Sequence, residues 1–353
     1  MSRSLGDLYA RAAREAIPLE VAIELTHRCN FRCRHCYIPD FEAPDLLTTG
    51  RVLELLEELA GVGTLRLSLT GGEPLLRPDW RTVARRAREL GFQLTVLTNG
   101  SGVTDDVAEE LARLHAVVDV SLHTMDRAAF ERLTRRVGSF ERVLAGIRRL
   151  RAHGVPVVVK VPQTSITPDD LEAVAAFAEE VGAICQSAPQ ILPRKDGSLE
   201  PLRYRLDPDR LAAYYGGPHG GCDLPAGDAA DRDDLPLCAA GNRFACIQAN
   251  GDVLACNVLP VVAGNVLERT FREVWEGSEW LRRLRSLRRR DLPVCSGCDA
   301  FVHCNRCHAE ALLEDGDLLG PASAACARAA ARERAAAARA ASLPVLPAGR
   351  FSR

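Results

Sequence analysis

No stretch of this 353-residue chain stays apolar for the length that a bilayer crossing needs. Charge of one sign is also lacking: 45 Lys and Arg stand against 47 Asp and Glu, for a formal net charge of −2. The electrostatic footprint of a nucleic-acid or membrane-surface partner is therefore missing. The first twenty residues have no apolar core of the kind an export signal carries; Arg3, Asp7, Arg11, Arg14 and Glu15 interrupt them. In a chain without such a signal, 13 cysteines argue for metal rather than disulfides. The remaining composition, 47% hydrophobic and 26% charged, is that of an ordinary globular protein with room for one large domain and a smaller one.

What is present is a pattern of thiols. Eleven of the cysteines form two groups, and the first is Cys29, Cys33 and Cys36, a C-x₃-C-x₂-C run behind the apolar stretch 19–25. Three thiolates hold three irons of a 4Fe–4S cube and leave the fourth iron open, whereas a fully ligated electron-transfer cluster takes four cysteines. Zinc favours C-x₂-C pairs that close a tetrahedron, and no second pair lies near. The run thus reads as an iron site that does chemistry.

A strand–helix rhythm surrounds it. Strands are expected at 20–25, 65–70, 93–98, 117–122, 155–161 and 184–188, and helices at 5–16, 49–60, 79–90, 104–114, 139–153 and 168–181. In the second of these helices Val52, Leu55, Leu56 and Leu59 share a face. Pro168 with Asp169 and Asp170 marks the start of the last, and Gly91, Gly154 and Gly182 stop three of them. Six strands alternating with helices imply an α/β fold with a parallel sheet and right-handed crossovers. Rhythm alone does not separate an open sheet from a barrel. Ligands in either gather at the C-terminal ends of the strands, where Cys29 and Gly71 fall.

Cys29-x₃-Cys33-x₂-Cys36, followed one β/α unit later by Gly71-Gly72-Glu73-Pro74, resembles the radical S-adenosylmethionine (SAM) enzymes. The resemblance implies a partial (β/α)₆ barrel of the TIM type over 19–192, after an N-terminal helix at 1–18. It implies a 4Fe–4S cluster on Cys29, Cys33 and Cys36 whose open iron takes the amino and carboxylate groups of SAM. Gly71, Gly72, Glu73 and Pro74 are expected at the SAM amino group, with glycines that let backbone approach a ligand closely. Asn99 and Ser121, at the ends of strands three and four, are expected against the ribose and the carboxylate, with Arg135, in competition with Arg132 and Arg136, as a carboxylate partner. His35 stands where the family usually has an aromatic residue, and Tyr37 follows it with a backbone contact to SAM.

The second group is Cys238, Cys246, Cys256, Cys295, Cys298, Cys304, Cys307 and Cys326. Eight thiolates match two fully ligated 4Fe–4S clusters. The pattern resembles the SPASM domain, with Gly251-x₄-Cys256 and Cys295-x₂-Cys298-x₅-Cys304 in place, although Cys304-x₂-Cys307 is one residue shorter than the family spacing. The resemblance implies crossed ligand sets: Cys238, Cys246, Cys256 and Cys307 for one auxiliary cluster, and Cys295, Cys298, Cys304 and Cys326 for the other. It places the domain at 238–326, after an irregular connecting segment at 193–237 and before a C-terminal helix and mobile tail at 327–353. Of the two leftover thiols, Cys185 is expected in the core of strand six and Cys222 on a loop.

The function implied is a radical SAM oxidoreductase. It makes a 5′-deoxyadenosyl radical and takes hydrogen from a peptide or protein substrate, as in ribosomal peptide maturation, crosslinking or oxidation. Asn257 after Cys256, where the sulfatase-modifying branch has Asp, counts against that branch because Asn is no carboxylate base. With only some eighteen residues before strand one, no leader-recognition domain is expected in the chain, so the substrate is expected to be gripped by a separate leader-binding protein or by the barrel rim, or to be no peptide at all. An electron donor such as ferredoxin or flavodoxin and a reducing, cytoplasmic setting follow from the clusters. The alternatives are a cofactor-biosynthesis enzyme of the tetrapyrrole type and a non-catalytic metal-binding scaffold.

Overall fold

The structure, a computed structural model, describes residues 5–220 and 236–342. Cys222 and the last eleven residues, which sequence reading assigned to a loop and a mobile tail, lie outside the described residues. Helix α1 (Leu5–Glu15) leads into strand β1 (Glu20–Thr26). Five further β/α repeats follow: α2 (Thr49–Gly61), β2 (Arg66–Gly71), α3 (Trp80–Glu89), β3 (Gln93–Thr98), α4 (Asp105–Arg113), β4 (Val117–Ser121), α5 (Arg127–Thr134), α6 (Ser139–Ala152), β5 (Val157–Pro162), α7 (Leu171–Glu180) and β6 (Ile184–Ala188). Each strand pairs in parallel with the next, β1 to β6. This is the partial (β/α)₆ barrel.

Local chemistry explains the boundaries. Thr48 caps α2 by accepting from Arg51 N, and Val52, Leu55, Leu56 and Leu59 are buried as the 3.6-residue period requires. Gly91, Gly154 and Gly182 sit at φ +89°, +77° and +70° just beyond α3, α6 and α7, where a side chain would be strained. Helix α7 starts at Leu171 rather than Pro168. The Asp170 carboxylate does not cap it but accepts from Thr124 Oγ1 at 2.6 Å and Met125 N at 2.7 Å, so the acid pins the loop after β4. Helix α5, which the sequence reading left out, is capped by Asp126, whose Oδ1 accepts from Ala129 N.

One further expectation is corrected: the segment expected to be irregular holds α8 (Pro208–Gly216), capped by Asp207 with Pro208 in its first turn. The cysteine-rich region joins the barrel's sheet: β7 (Phe244–Ile247) pairs in parallel with β1, Ala22 opposite Cys246, and β8 (Asp252–Cys256) and β9 (Leu259–Asn265) extend the same sheet by antiparallel pairing. The strand order is β6-β5-β4-β3-β2-β1-β7-β8-β9. Beyond it lie α9 (Phe271–Gly277), α10 (Glu279–Ser286), three short 3₁₀ turns, α11 (His308–Asp315) and α12 (Ser323–Ser342). Cys185 is half-buried rather than in the core, because β6 is the edge strand.

Candidate active site

The loop after β1 carries its three cysteines over the C-terminal end of the sheet. Cys29, Cys33 and Cys36 line one cavity of about 250 Å³, whose other walls are the ends of β2, β3, β4 and β5. Burial pushes the Cys29 thiol up to about 11, and Cys33 and Cys36 are raised as well. The charge of Cys36 raises both of its companions further. Buried thiols that repel one another as thiolates are stabilised once a metal supplies positive charge, so this donor set fits an iron cluster.

The two glycines of the GGEP motif work beneath the cysteine loop. A Cβ on Gly71 would lie 2.3 Å from Thr26 O, and one on Gly72 would lie 2.2 Å from Arg28 O. Gly72 N donates to Thr26 O and Glu73 N to Arg28 O, both at 2.8 Å. The close approach that needs glycine is thus to the chain's own loop. A second support is Arg77, buried, which donates to Leu25 O at 2.7 Å, to Leu47 O at 2.9 Å and to Asp79. A third is the C-terminus of α5, whose spare carbonyls accept from the loop: Arg32 N to Thr134 O at 3.1 Å and Arg34 N to Leu133 O at 2.9 Å.

Asn99, Ser121 and Tyr37 line the cavity as expected. Asn99 also binds the cysteine loop, donating from Nδ2 to Asn30 Oδ1 at 2.7 Å, while its Oδ1 accepts from Ser101. Glu73 and Pro74 are buried behind the wall rather than on it. The Glu73 carboxylate accepts from Thr98 Oγ1 and Asn99 N, both at 2.7 Å, and burial raises its pKa to about 7. Arg135 is not brought to the cavity: it is the left-handed C-cap of α5, at φ 54°, and is exposed.

Several residues of the site carry no sequence motif. Asp119 and Lys160, on β4 and β5, face the cavity as an ion pair at 3.3 Å. His35 and His123 meet edge to face at 4.9 Å on its wall, and neither Nδ1 has a partner among the described residues. Burial holds both rings neutral, His35 at about 4 and His123 well below its usual value. On the far side, the fully buried Glu24 pairs with Lys195, whose side chain is largely buried, at 2.6 Å. Lys195 lies 5.2 Å from the Tyr37 ring centroid and its N–H donates to Tyr37 O.

The charges of the second cysteine group act on one another within the two sets that the resemblance implies. Cys307 bears on Cys238, Cys238 on Cys256, Cys256 on Cys246 and again on Cys307, each as a charge that raises its neighbour. The short Cys304-x₂-Cys307 spacing therefore does not turn Cys307 away from this set. Cys304 feels Cys326, Cys295 and Cys298 in the same way. Burial is the main cause in every case and takes Cys238, Cys256, Cys304 and Cys307 to about 11. Tyr37 links the two regions: it follows Cys36, and the charges of both Cys36 and Cys246 raise its phenol, after burial and Glu24.

The Radical SAM superfamily profile matches residues 23–178, and that of the SPASM iron–sulfur cluster-binding domain matches 238–299. An AdoMet-dependent heme synthase of Methanosarcina barkeri is 28% identical over 86% of this chain and 94% of its own length. A PqqA peptide cyclase of Xanthomonas axonopodis is 27% identical over 85% of each chain. SuiB of Streptococcus suis bound to S-adenosylmethionine superposes with a TM-score of 0.69 at 19% identity, over 88% of this chain and 77% of that one. SuiB bound to its precursor peptide SuiA gives 0.67 at 19%, over 89% and 80%. With the thiol pattern, the barrel and these matches in agreement, the chain belongs to the radical SAM superfamily, as an enzyme that uses S-adenosylmethionine and iron–sulfur clusters and carries a C-terminal SPASM domain.

Proposed function

We propose that this enzyme is an oxidoreductase that modifies a peptide or protein, with Cys29, Cys33 and Cys36 holding the SAM-binding cluster. The observation that carries the reading is the split of the thiols: three line the cavity at the strand ends, and the other eight of the pattern belong to the C-terminal region and are not on its wall. When bound there, the cluster and SAM supply a 5′-deoxyadenosyl radical able to take hydrogen from an unactivated C–H bond. The chain supplies position and exclusion of water. Asn99 and Ser121 present polar groups on the wall, and Asp119 holds Lys160 at its rim. Phe31, buried, and Leu97 close the apolar side around the reacting atoms. The two quartets would hold auxiliary clusters that accept an electron from the substrate.

Peptide chemistry is favoured by the similarity to a PqqA peptide cyclase and by the shared fold with a peptide-bound SuiB. A ferredoxin or flavodoxin would donate the electron, a separate protein would present the leader, and the cytoplasm would supply the reducing setting. No helix among the described residues is long and apolar enough to cross a membrane. The second reading, chemistry on a tetrapyrrole-type cofactor, is supported by the heme synthase relative, 94% of whose length is matched. Anaerobic turnover with candidate precursor peptides distinguishes them. A product lighter by two hydrogens supports the peptide reading; unchanged peptide mass beside consumption of a porphyrin precursor overturns it.

A further inference from the structure

Between the cysteine loop after β1 and the thiols of β7 and β8 lies a buried pair of opposite charges. On the loop side it starts at Tyr37, the residue after Cys36. Lys195 N donates to Tyr37 O at 3.0 Å, and Lys195 Nζ stands 5.2 Å from the centre of the Tyr37 ring. Lys195 Nζ then meets Glu24 Oε1 at 2.6 Å, with 8% and 0% of the two side chains exposed. On the other side the pair reaches β7. Ala22 on β1 is opposite Cys246 and packs against it, and side chains alternate along a strand, so Glu24 shares the face of Ala22 one step beyond Cys246. Gln248, two residues after Cys246, donates to Glu24 Oε2 at 3.4 Å. Leu254, opposite Cys246 on β8, shares the wall of a cavity of about 260 Å³ with Lys195 and Ile38. Each end of the ion pair thus touches a residue within two positions of an expected cluster ligand.

A buried ion pair adds little stability over apolar groups of the same shape. What it does add is two fixed charges in a medium that screens them weakly. The reduction potential of an iron–sulfur cluster responds to such charges and to exclusion of solvent. Reduction adds an electron, so a nearby cation favours the reduced form and raises the potential, and an anion lowers it. The thiols already register both charges. Burial raises Cys36 and Cys246; beyond it, Lys195 lowers and Glu24 raises each, and Lys195 also lowers Cys256. Around the other quartet the charges are different ones. Burial and neighbouring thiols aside, Cys304 meets Arg328, and Cys326 meets Asp315 and Arg306.

We propose that the Glu24–Lys195 pair sets the reduction potentials of two clusters at once, the one on Cys29, Cys33 and Cys36 and the one on Cys238, Cys246, Cys256 and Cys307, and leaves the third untouched. That these thiols hold clusters rests on the function proposed above; the reach of one pair to both sets rests on its contacts.

The test is a potentiometric titration followed by electron paramagnetic resonance on the anaerobically reconstituted full chain, with signals assigned through Cys33→Ala, Cys256→Ala and Cys298→Ala. Glu24→Gln leaves Lys195 as a lone cation and should raise both potentials. Lys195→Met leaves Glu24 as a lone anion and should lower both. Each shift should be about tenfold in the reduction equilibrium, about 59 mV for one electron, with the cluster on Cys295, Cys298, Cys304 and Cys326 unmoved. Where a lone buried charge keeps either variant from loading iron, Gln248→Lys, at a half-buried position beside Glu24, should raise the potential of the cluster on Cys246 instead. Shifts of the same sign in Glu24→Gln and Lys195→Met, equal shifts in all three clusters, or potentials unmoved in these variants at full iron content overturn the proposal. Wild-type protein that loads no iron on Cys238, Cys246, Cys256 and Cys307 overturns the cluster reading, and the proposal with it.

Discussion

The two cysteine regions are built in opposite ways. The first packs three thiols into eight residues and surrounds them with finished structure: the glycines after β2, the carbonyl end of α5, Arg77 and the Glu24–Lys195 pair each hold the loop from outside. The second gathers eight thiols from positions as distant as Cys238 and Cys326, and around its last quartet regular structure thins to short 3₁₀ turns. The apolar clusters there are small: Leu292, Cys295 and Phe301 form one, and Ala311, Ala322 and Ala325 another, with Cys304 packed on both. The barrel's cluster, by contrast, is continuous from Val21 to Phe177 and runs on through β7, β8 and α9 to Ala309, with Cys256 and Cys307 packed on it, so the small clusters belong to the last quartet alone. The first region is a site that the fold preforms for its metal. Around Cys295, Cys298, Cys304 and Cys326, we propose, a bound cluster would do the work of a core, as in other small domains of this kind.

Iron removal should separate the two most strongly. After anaerobic chelation, amide exchange should accelerate roughly 100-fold, about 3 kcal/mol of local stability, across the 3₁₀ turns and α11, while β2 to β5 keep their protection. Equal loss in both regions would break the contrast.

A substitution attacks the preformed site next. Lys195→Met leaves the Glu24 carboxylate fully buried and without its cation, and should cost about 3–5 kcal/mol in denaturant unfolding. Gly72→Ala should act on the loop instead: its Cβ meets Arg28 O, so the loop cannot seat. The variant should keep about eight of twelve irons, those of the auxiliary quartets, and lose SAM binding.

The smallest effect is a pH slope. Burial raises Glu73 from an ordinary value of 4.5 to about 7. A carboxyl raised in this direction binds its proton more tightly when folded. Its contribution is therefore complete below pH 4.5 and is lost as pH rises through 7, on the order of 3 kcal/mol. Glu73→Gln should flatten the fall in stability of the ligand-free protein between pH 5 and 7, measured by thermal unfolding; an unchanged slope would place that dependence elsewhere.

Much of this was legible in the chain. Strand positions follow from apolar runs, so six strands fall within two residues of expectation, and the thiol spacing marks both metal regions. Nonlocal pairing was not legible. Nothing in residues 244–265 says that β7 joins β1, and Glu24 finds Lys195 at a separation of 171 positions. Arg135 shows the reverse error: an arginine close in sequence to the site is turned outward because it ends a helix. Helix α5 had a local signal, Asp126 before Ala129, Phe130 and Leu133, but its role, offering carbonyls to the cysteine loop, exists only in three dimensions.

The most direct test of the central claim is 5′-deoxyadenosine formation by the anaerobically reconstituted, reduced protein given SAM, compared with Cys33→Ala and Cys298→Ala. The account predicts product from the wild type, none from Cys33→Ala, and product still from Cys298→Ala. Product that survives in Cys33→Ala, or none from wild-type protein with its full iron content, would contradict it.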